Sequence, residues 1–305
     1  MTEILFNTMD VSKMLQVDKS TVKRWTDEGK LKCFRTPGGH RKFRAEDLYQ
    51  FMSDYNYGIS PINLYPQFAS DEAILRRIIT KREFNVLTNV CFSAAINGRK
   101  NELVKLFTEV YKNGLTLPLL FDEILRPTLK RISDLNHSEK LSGAEMQLAF
   151  NALSNGIVLF SDAIVKPAPT GKKAICATIE AEAHDVELKA LVVLLESEGY
   201  DVLNLGVGAS TETISQLIEG RKPQFVFVCC FHPTNSETLR ANFGAIIEKA
   251  AAFGSKVVIG SGVSNGQDSA AQIGDEKRCA TFKDFALVQR DPIVNQNTAN
   301  DEKRN

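Results

Sequence analysis

The chain has 305 residues, 43% hydrophobic and 24% charged, with 37 basic residues balanced by 37 acidic ones. That composition excludes a disordered or fibrous chain, and a neutral total excludes a basic surface spread over the whole molecule. No basic leader and no uncharged apolar run of about 18 residues occurs, so the expectation is a cytoplasmic protein with neither signal peptide nor membrane span. The six cysteines form no CxxC pair, and five lie in apolar segments, as buried thiols of a reduced compartment do.

Residues 1–55 read as a compact basic module. From Lys19 to Arg44 there are nine basic residues against two acids, Asp27 and Glu28. MDVSKMLQVDKSTVKRWTDEGKLKCF predicts two short helices and a turn, with Val11, Met14, Leu15, Val22 and Trp25 facing inward and Val17 in the turn. Asp18 or Ser20 can cap the second helix, and Gly29 ends it. This turns Lys19, Thr21, Lys23 and Arg24 outward on a short helix whose N-terminal half fits a major groove; with Ser20 they are the candidate base and phosphate contacts. RTPGGHRKF (35–43) follows as a hairpin whose Gly38 and Gly39 permit a tight turn, placing Arg35 and Arg41 on neighbouring strands with His40 and Lys42 beside them. Such a wing lays cations along phosphates or into a minor groove. Leu48, Phe51 and Met52 supply a third helix that closes the core.

The stretch TVKRWTDEGKLKCFRTPGGHRKF resembles the winged-helix DNA-binding domain of MerR-family regulators and of excisionase-like proteins. The resemblance implies a double-stranded DNA partner.

YNYGISPINLYP has turn residues without periodicity and reads as a linker over 56–69. Residues 70–165 recur at three- and four-residue steps, as in Leu103, Leu106, Phe107 and Val110, with breaks at Asn97-Gly98, Asn113-Gly114 and Leu117-Pro118. Four or so helices fit, hence a four-helix bundle. KPAPTGKK (166–173) is a hinge. From 174 to 290 the runs AICATI, VLNLGV, FVFVCC and KVVIG alternate with helical stretches, which predicts a Rossmann-like parallel sheet covered on both faces. Residues 291–305 read as a disordered tail. The fold class expected is therefore multidomain, α plus α/β.

The helical segment followed by this sheet resembles a cobalamin-binding module, and the whole order resembles the light- and cobalamin-dependent MerR-type repressors of carotenoid genes. In that family an acidic residue, a histidine two on and a glycine three further open the site, and the histidine is the lower axial cobalt ligand. Glu182 and His184 match, while Glu187 replaces the glycine that makes room for the nucleotide tail. Cys229 stands where the family has a serine, and Gly260-Ser261 where it has Gly-Gly. In the helical segment Asn136, Met146 and Gln147 occupy the positions of the family's lid tryptophan and Glu-His pair. The resulting expectation is a DNA-binding regulator, not an enzyme, whose sensor and oligomerisation body works without a cofactor. The alternative is a working cobalamin site built from Glu182, His184, Cys229 and Gly260, with cobalt on His184. A corrinoid enzyme component is the more distant reading. A homo-oligomer is expected, with a protein partner at the sensor body as a further option.

Overall fold

The computed structural model describes residues 5–15, 17–55, 72–179, 184–230, 236–261 and 277–288. The linker and tail assigned above, together with Glu182, Phe231 and the side chains of Met52 and Ser261, lie outside them.

The chain opens with a three-residue strand, β1 (Leu5–Asn7), and helix α1 (Thr8–Met14). Asn7 and Asp10 close a reciprocal cap: Asn7 Oδ1 accepts from the Asp10 amide at 2.9 Å, and the Asp10 carboxylate accepts from the Asn7 amide at 2.9 Å. That satisfies donors a helix start leaves bare. Helix α2 (Lys19–Asp27) starts from Asp18, whose side chain makes no capping bond, and Gly29 with φ +71° lets the chain leave it. Strands β2 (Phe34–Arg35) and β3 (Arg41–Arg44) form the hairpin, with Arg35 directly opposite Arg41. β1 pairs on the other side of β3, so the wing is a three-stranded sheet in the order β1-β3-β2. Helix α3 (Ala45–Asp54) follows. Phe6, Val11, Met14, Leu15, Val22, Leu31, Phe43, Leu48 and Phe51 are buried, and Trp25 packs on Phe51 with ring centroids 5.0 Å apart.

The helical part comprises α4 (Glu72–Thr80), α5 (Phe84–Ile96), α6 (Lys100–Lys112), a continuous rod of α7 (Leu117–Leu120), a π turn (Phe121–Leu125) and α8 (Arg126–His137), and then α9 (Gly143–Ala163). Pro118 sits in the rod's first turn, where a missing amide costs nothing. Ser142 and Glu145 form a capping box at the start of α9, Ser142 Oγ accepting from the Glu145 amide at 3.2 Å and the carboxylate accepting from the Ser142 amide at 2.8 Å. The Ser142 hydroxyl, which donates to that carboxylate at 2.6 Å, and then the Ser142 amide hold the Glu145 carboxyl below its ordinary range.

Five parallel strands follow: β4 (Lys173–Thr178), β5 (Asp201–Asn204), β6 (Phe225–Cys230), β7 (Lys256–Ser261) and β8 (Lys277–Cys279). Their order is β5-β4-β6-β7-β8. Helix α10 (Val186–Ser197) follows β4, α11 (Thr211–Arg221) follows β5, α12 (Ser236–Ala252) follows β6 and α13 (Phe282–Val288) follows β8. Period-two alternation divides the buried strands between two cores. Ile175, Val226, Val228 and Ile259 join Ile214 and Ile218 of α11 and Phe243 of α12. Cys176, Phe225, Phe227 and Cys229 join α10, α13 and the helical bundle on the other side. Among the described residues no helix is long and apolar enough to cross a membrane.

Candidate functional site

On the basic module, the exposed residues of α2 include Lys19, Ser20, Lys23 and Arg24, with Thr21 half-buried. Across from them the wing presents exposed Arg35 and His40 and half-buried Arg41 and Lys42. Lys19, Thr36, His40, Arg41 and Lys42, with Asn7 to Met9, line a concavity of about 470 Å³ between the helices and the wing. Its cations come from two elements, Lys19 from α2 and Arg41 and Lys42 from β3.

The two wing arginines stand in different surroundings. Arg41 Nη2 is 2.5 Å from Asp27 Oδ1, and its side chain is 14% exposed against 62% for Asp27. It ties the wing to the last turn of α2. Arg35, opposite it in register, remains exposed. A Cβ on Gly38 would lie 3.6 Å from His40 Cδ2, so the imidazole lies back along the turn. Thr36 and Gly39 close that turn: the Thr36 amide donates to the His40 carbonyl at 3.0 Å, and the Gly39 amide to the Thr36 carbonyl at 2.8 Å.

A second site is defined by the sheet. Strand order reverses between β4 and β6, and an open α/β sheet takes ligands at the strand C-termini beside that switch. His184 lies there, half-buried, just before α10. Phe150 of α9 covers it, with ring centroids 4.1 Å apart and planes tilted by 55°. A flat ring in contact with both partners needs about 7 Å between them, two carbon contact distances of roughly 3.5 Å. Phe150 and His184 stand closer than that.

Glu187, a position at which the sequence departs from the cobalamin family, is buried and paired. Its Oε1 accepts from Arg126 Nε at 3.0 Å, with side-chain exposures of 7% and 15%. Arg126 also donates to the Ala280 carbonyl and lies over the Phe282 ring at 5.8 Å. One turn earlier, Asp122 in the π turn accepts from the amides of Phe282 and Lys283 at 2.9 and 3.0 Å, capping α13 from the bundle. Burial raises the Asp122 carboxyl, and those two amides and Arg126 act against that rise. A π turn shifts the register of the side chains that follow it, and here both polar groups reach the 280–283 segment.

Gly260 lies laterally between Cys229 of β6 and Cys279 of β8. A Cβ on it would stand 2.7 Å from Cys229 Sγ and 2.7 Å from Phe285 Cζ. The bareness of glycine is therefore used by a thiol and a phenyl ring of this chain. Asp185 does not cap α10 through its side chain; instead its Oδ1 accepts from Ser154 Oγ at 2.7 Å, and Lys189 Nζ lies 2.8 Å from its Oδ2. Burial works against ionisation of Asp185, but the bonds from Lys189 and Ser154 outweigh it and hold the carboxyl below its usual range. Asn136 closes the turn after α8 by donating to the Leu141 carbonyl at 2.9 Å. Burial pushes the Cys91 thiol up to about 12. Among the described residues no group of three or more His, Cys, Asp or Glu could hold a metal.

Two family models match parts of the chain. Residues 5–55 match the helix-turn-helix domain family and residues 172–276 the B12 binding domain family. The chain thus joins a helix-turn-helix domain to a cobalamin-binding-like module. It is 25% identical over 149 residues to monomethylamine corrinoid protein 2 of Methanosarcina mazei, covering 48% of this chain and 66% of that protein. It is 29% identical over 114 residues to the transcriptional repressor DcmR of Methylorubrum extorquens, covering 37% of this chain and 42% of that protein. The chain therefore spans less than two thirds of either relative. The solved Methanosarcina barkeri monomethylamine corrinoid protein superposes with a TM-score of 0.55 at 15% identity, over 67% of this chain and 96% of that one, a likeness of fold.

Proposed function

We propose that the protein is a cytoplasmic MerR-type transcriptional regulator. Residues 1–55 read duplex DNA through α2 and the wing, and residues 70–290 form a sensor and oligomerisation body that works without cobalamin. The observation that carries the first half is the cationic concavity between α2 and the wing, set on a chain with no net charge. Similarity to a transcriptional repressor supports it. The second half is supported by three contacts at the switch point. Phe150 lies on His184, Arg126 pairs with Glu187, and Cys229 and Phe285 close over Gly260. These residues do not fit a corrinoid: the macrocycle's layer, the tail's entrance and the glycine cradle are each taken up by a side chain of the protein.

Two experiments test the reading. Selection from random duplexes with the full chain is expected to enrich a defined sequence, and no retained duplex even at low salt would overturn it. Full-length protein mixed with hydroxocobalamin and desalted is expected to lose the chromophore. Stoichiometric retention, abolished in His184→Ala, would establish the alternative with His184 as axial ligand.

A further inference from the structure

Between Lys19 and Arg44 the head has two acids among nine bases, and both lie where α2 ends. A carboxylate on a face that meets phosphates repels them, so neither acid helps to bind a polyanion by its charge. Each instead holds a cation. Asp27 is taken by Arg41 of the wing. Glu28 stands between two others: its Oε2 is 2.7 Å from Lys30 Nζ, and its Oε1 is 4.0 Å from Arg24 Nε.

The backbone fixes this row. The Glu28 amide donates to the Arg24 carbonyl at 2.8 Å, which places Glu28 one turn beyond Arg24 on the same side of α2. Gly29, at φ +71°, then reverses the chain, and the Lys30 and Leu31 amides both donate to the Trp25 carbonyl, at 2.9 and 3.1 Å. Leu31 is buried in the core of the head, so Lys30 is brought back against Glu28. Arg24 lies on the side of the helix opposite buried Val22, and its side chain is 65% exposed. A carboxylate at the Nε side of a guanidinium leaves the Nη1 and Nη2 edge forward, and that edge matches the O6 and N7 acceptors of guanine.

We propose that Arg24 reads a guanine in the major groove and that Glu28, backed by Lys30, is its positioning residue. Arg24 donates from Nη1 and Nη2 to O6 and N7 of the base. The pair with Glu28 restricts the rotamers of a long side chain before the duplex arrives, which lowers the entropy lost on binding. In the free protein such an exposed pair is weak; once docking expels water, the same charges couple more strongly. Lys19 and Lys42, at the concavity, serve phosphates, which carry no sequence information. The assignment rests on the proposed reading of duplex DNA by α2 and the wing, and adds to it the base that is read and the residue that aims the reader.

Selection from random duplexes, run side by side on full-length wild type and Arg24→Ala with circular dichroism as the check of folding, tests it. Wild type is expected to enrich a site containing a guanine that Arg24→Ala no longer selects, a loss of about fivefold to 150-fold in discrimination at that position. Because a base contact neutralises no phosphate, the log–log salt slope of Arg24→Ala should stay within about 0.3 of wild type. Placing 7-deazaguanine in the selected site removes the N7 acceptor. It should weaken wild type by about fivefold or more and leave Arg24→Ala unaffected. Glu28→Gln adds positive charge, so its affinity for random duplex should not fall, yet its guanine preference should; general damage to the head would lower both. A wild type that enriches no sequence would overturn DNA reading and this assignment with it. A selected site without guanine, an unchanged preference in Arg24→Ala or Glu28→Gln, or a 7-deazaguanine penalty absent from wild type or shared by Arg24→Ala would overturn the assignment alone.

Discussion

Replacing Glu187 by Ala separates the two ways of regarding this residue. If Glu187 merely obstructs a lost tail site, its removal is harmless; if it is half of a buried pair joining the bundle to the sheet, removal strands Arg126. Breaking a buried ion pair costs about 3–5 kcal/mol. Arg126 would keep the Ala280 carbonyl, the Phe282 ring and Asp122 at 3.9 Å, so the lower end, about 3 kcal/mol, is expected. With a urea dependence of about 3 kcal/mol per molar, the unfolding midpoint should fall by roughly 1 M. Far-UV circular dichroism follows that transition. The single tryptophan, Trp25, lies in the DNA-reading head, and its fluorescence should move less. The double variant Arg126→Met/Glu187→Met removes both charges and should regain most of the loss, because apolar groups of similar volume often replace such a pair at no cost. A midpoint change below about 0.3 M, or a double variant as unstable as Glu187→Ala, would refute the assignment.

Arg35→Ala should flatten the salt dependence of DNA binding by about 0.9 in log–log slope. Arg41→Ala, whose guanidinium is engaged by Asp27, should weaken binding with a smaller change of slope; equal slope changes in anisotropy titrations would refute the distinction. Asp185→Asn should destabilise the protein at neutral pH. Because the folded carboxyl is held below its unfolded value, its stabilisation is complete above that value and lost as pH falls through the folded one. The gap between variant and wild type should therefore close below about pH 4, and a gap that widens there in urea titrations would contradict the sign. Gly260→Ala should cost about 1–3 kcal/mol by overpacking against Cys229 and Phe285, and the paired change Phe285→Leu should recover part of it in the same assay.

The wing hairpin was legible in the sequence because its register depends on local chemistry: a Gly-Gly turn places Arg35 opposite Arg41 whatever the rest of the chain does. The runs AICATI, FVFVCC and KVVIG were legible as strands because a doubly covered parallel strand is apolar throughout. β1 and β8, three residues each, were not, since LFN and KRC carry no pattern and acquire strand geometry only from a distant neighbour. Asp18 stands at the helix start the sequence indicated, but its side chain makes no capping bond; Asp185, at the start of α10, likewise makes none and spends its oxygens on Ser154 and Lys189. At the switch point the departures from the cobalamin family were readable at Glu187 and Cys229. What fills the space was not, because Arg126 lies 61 residues from Glu187 in the chain. Phe150 left a fainter signal, one helical turn beyond Gln147 on the helix that carries the altered cap positions.

These contacts give α10 a particular place in the molecule. One of its stripes carries Asp185 and Lys189, bonded to Ser154 of α9, and Glu196, which accepts from Lys166 at 2.7 Å and from Ser161 at 3.4 Å. Its other side carries Glu187, bonded to Arg126 of α8. The helix is thus gripped by the bundle from two directions while its apolar residues, Leu188, Leu191 and Leu195 among them, sit in the core shared with the sheet. It cannot shift on one layer without breaking bonds to the other. Whatever acts at the loop before α10, where His184 lies, therefore acts on bundle and sheet together, and an effector that moved only the sheet would first have to open the Arg126–Glu187 pair.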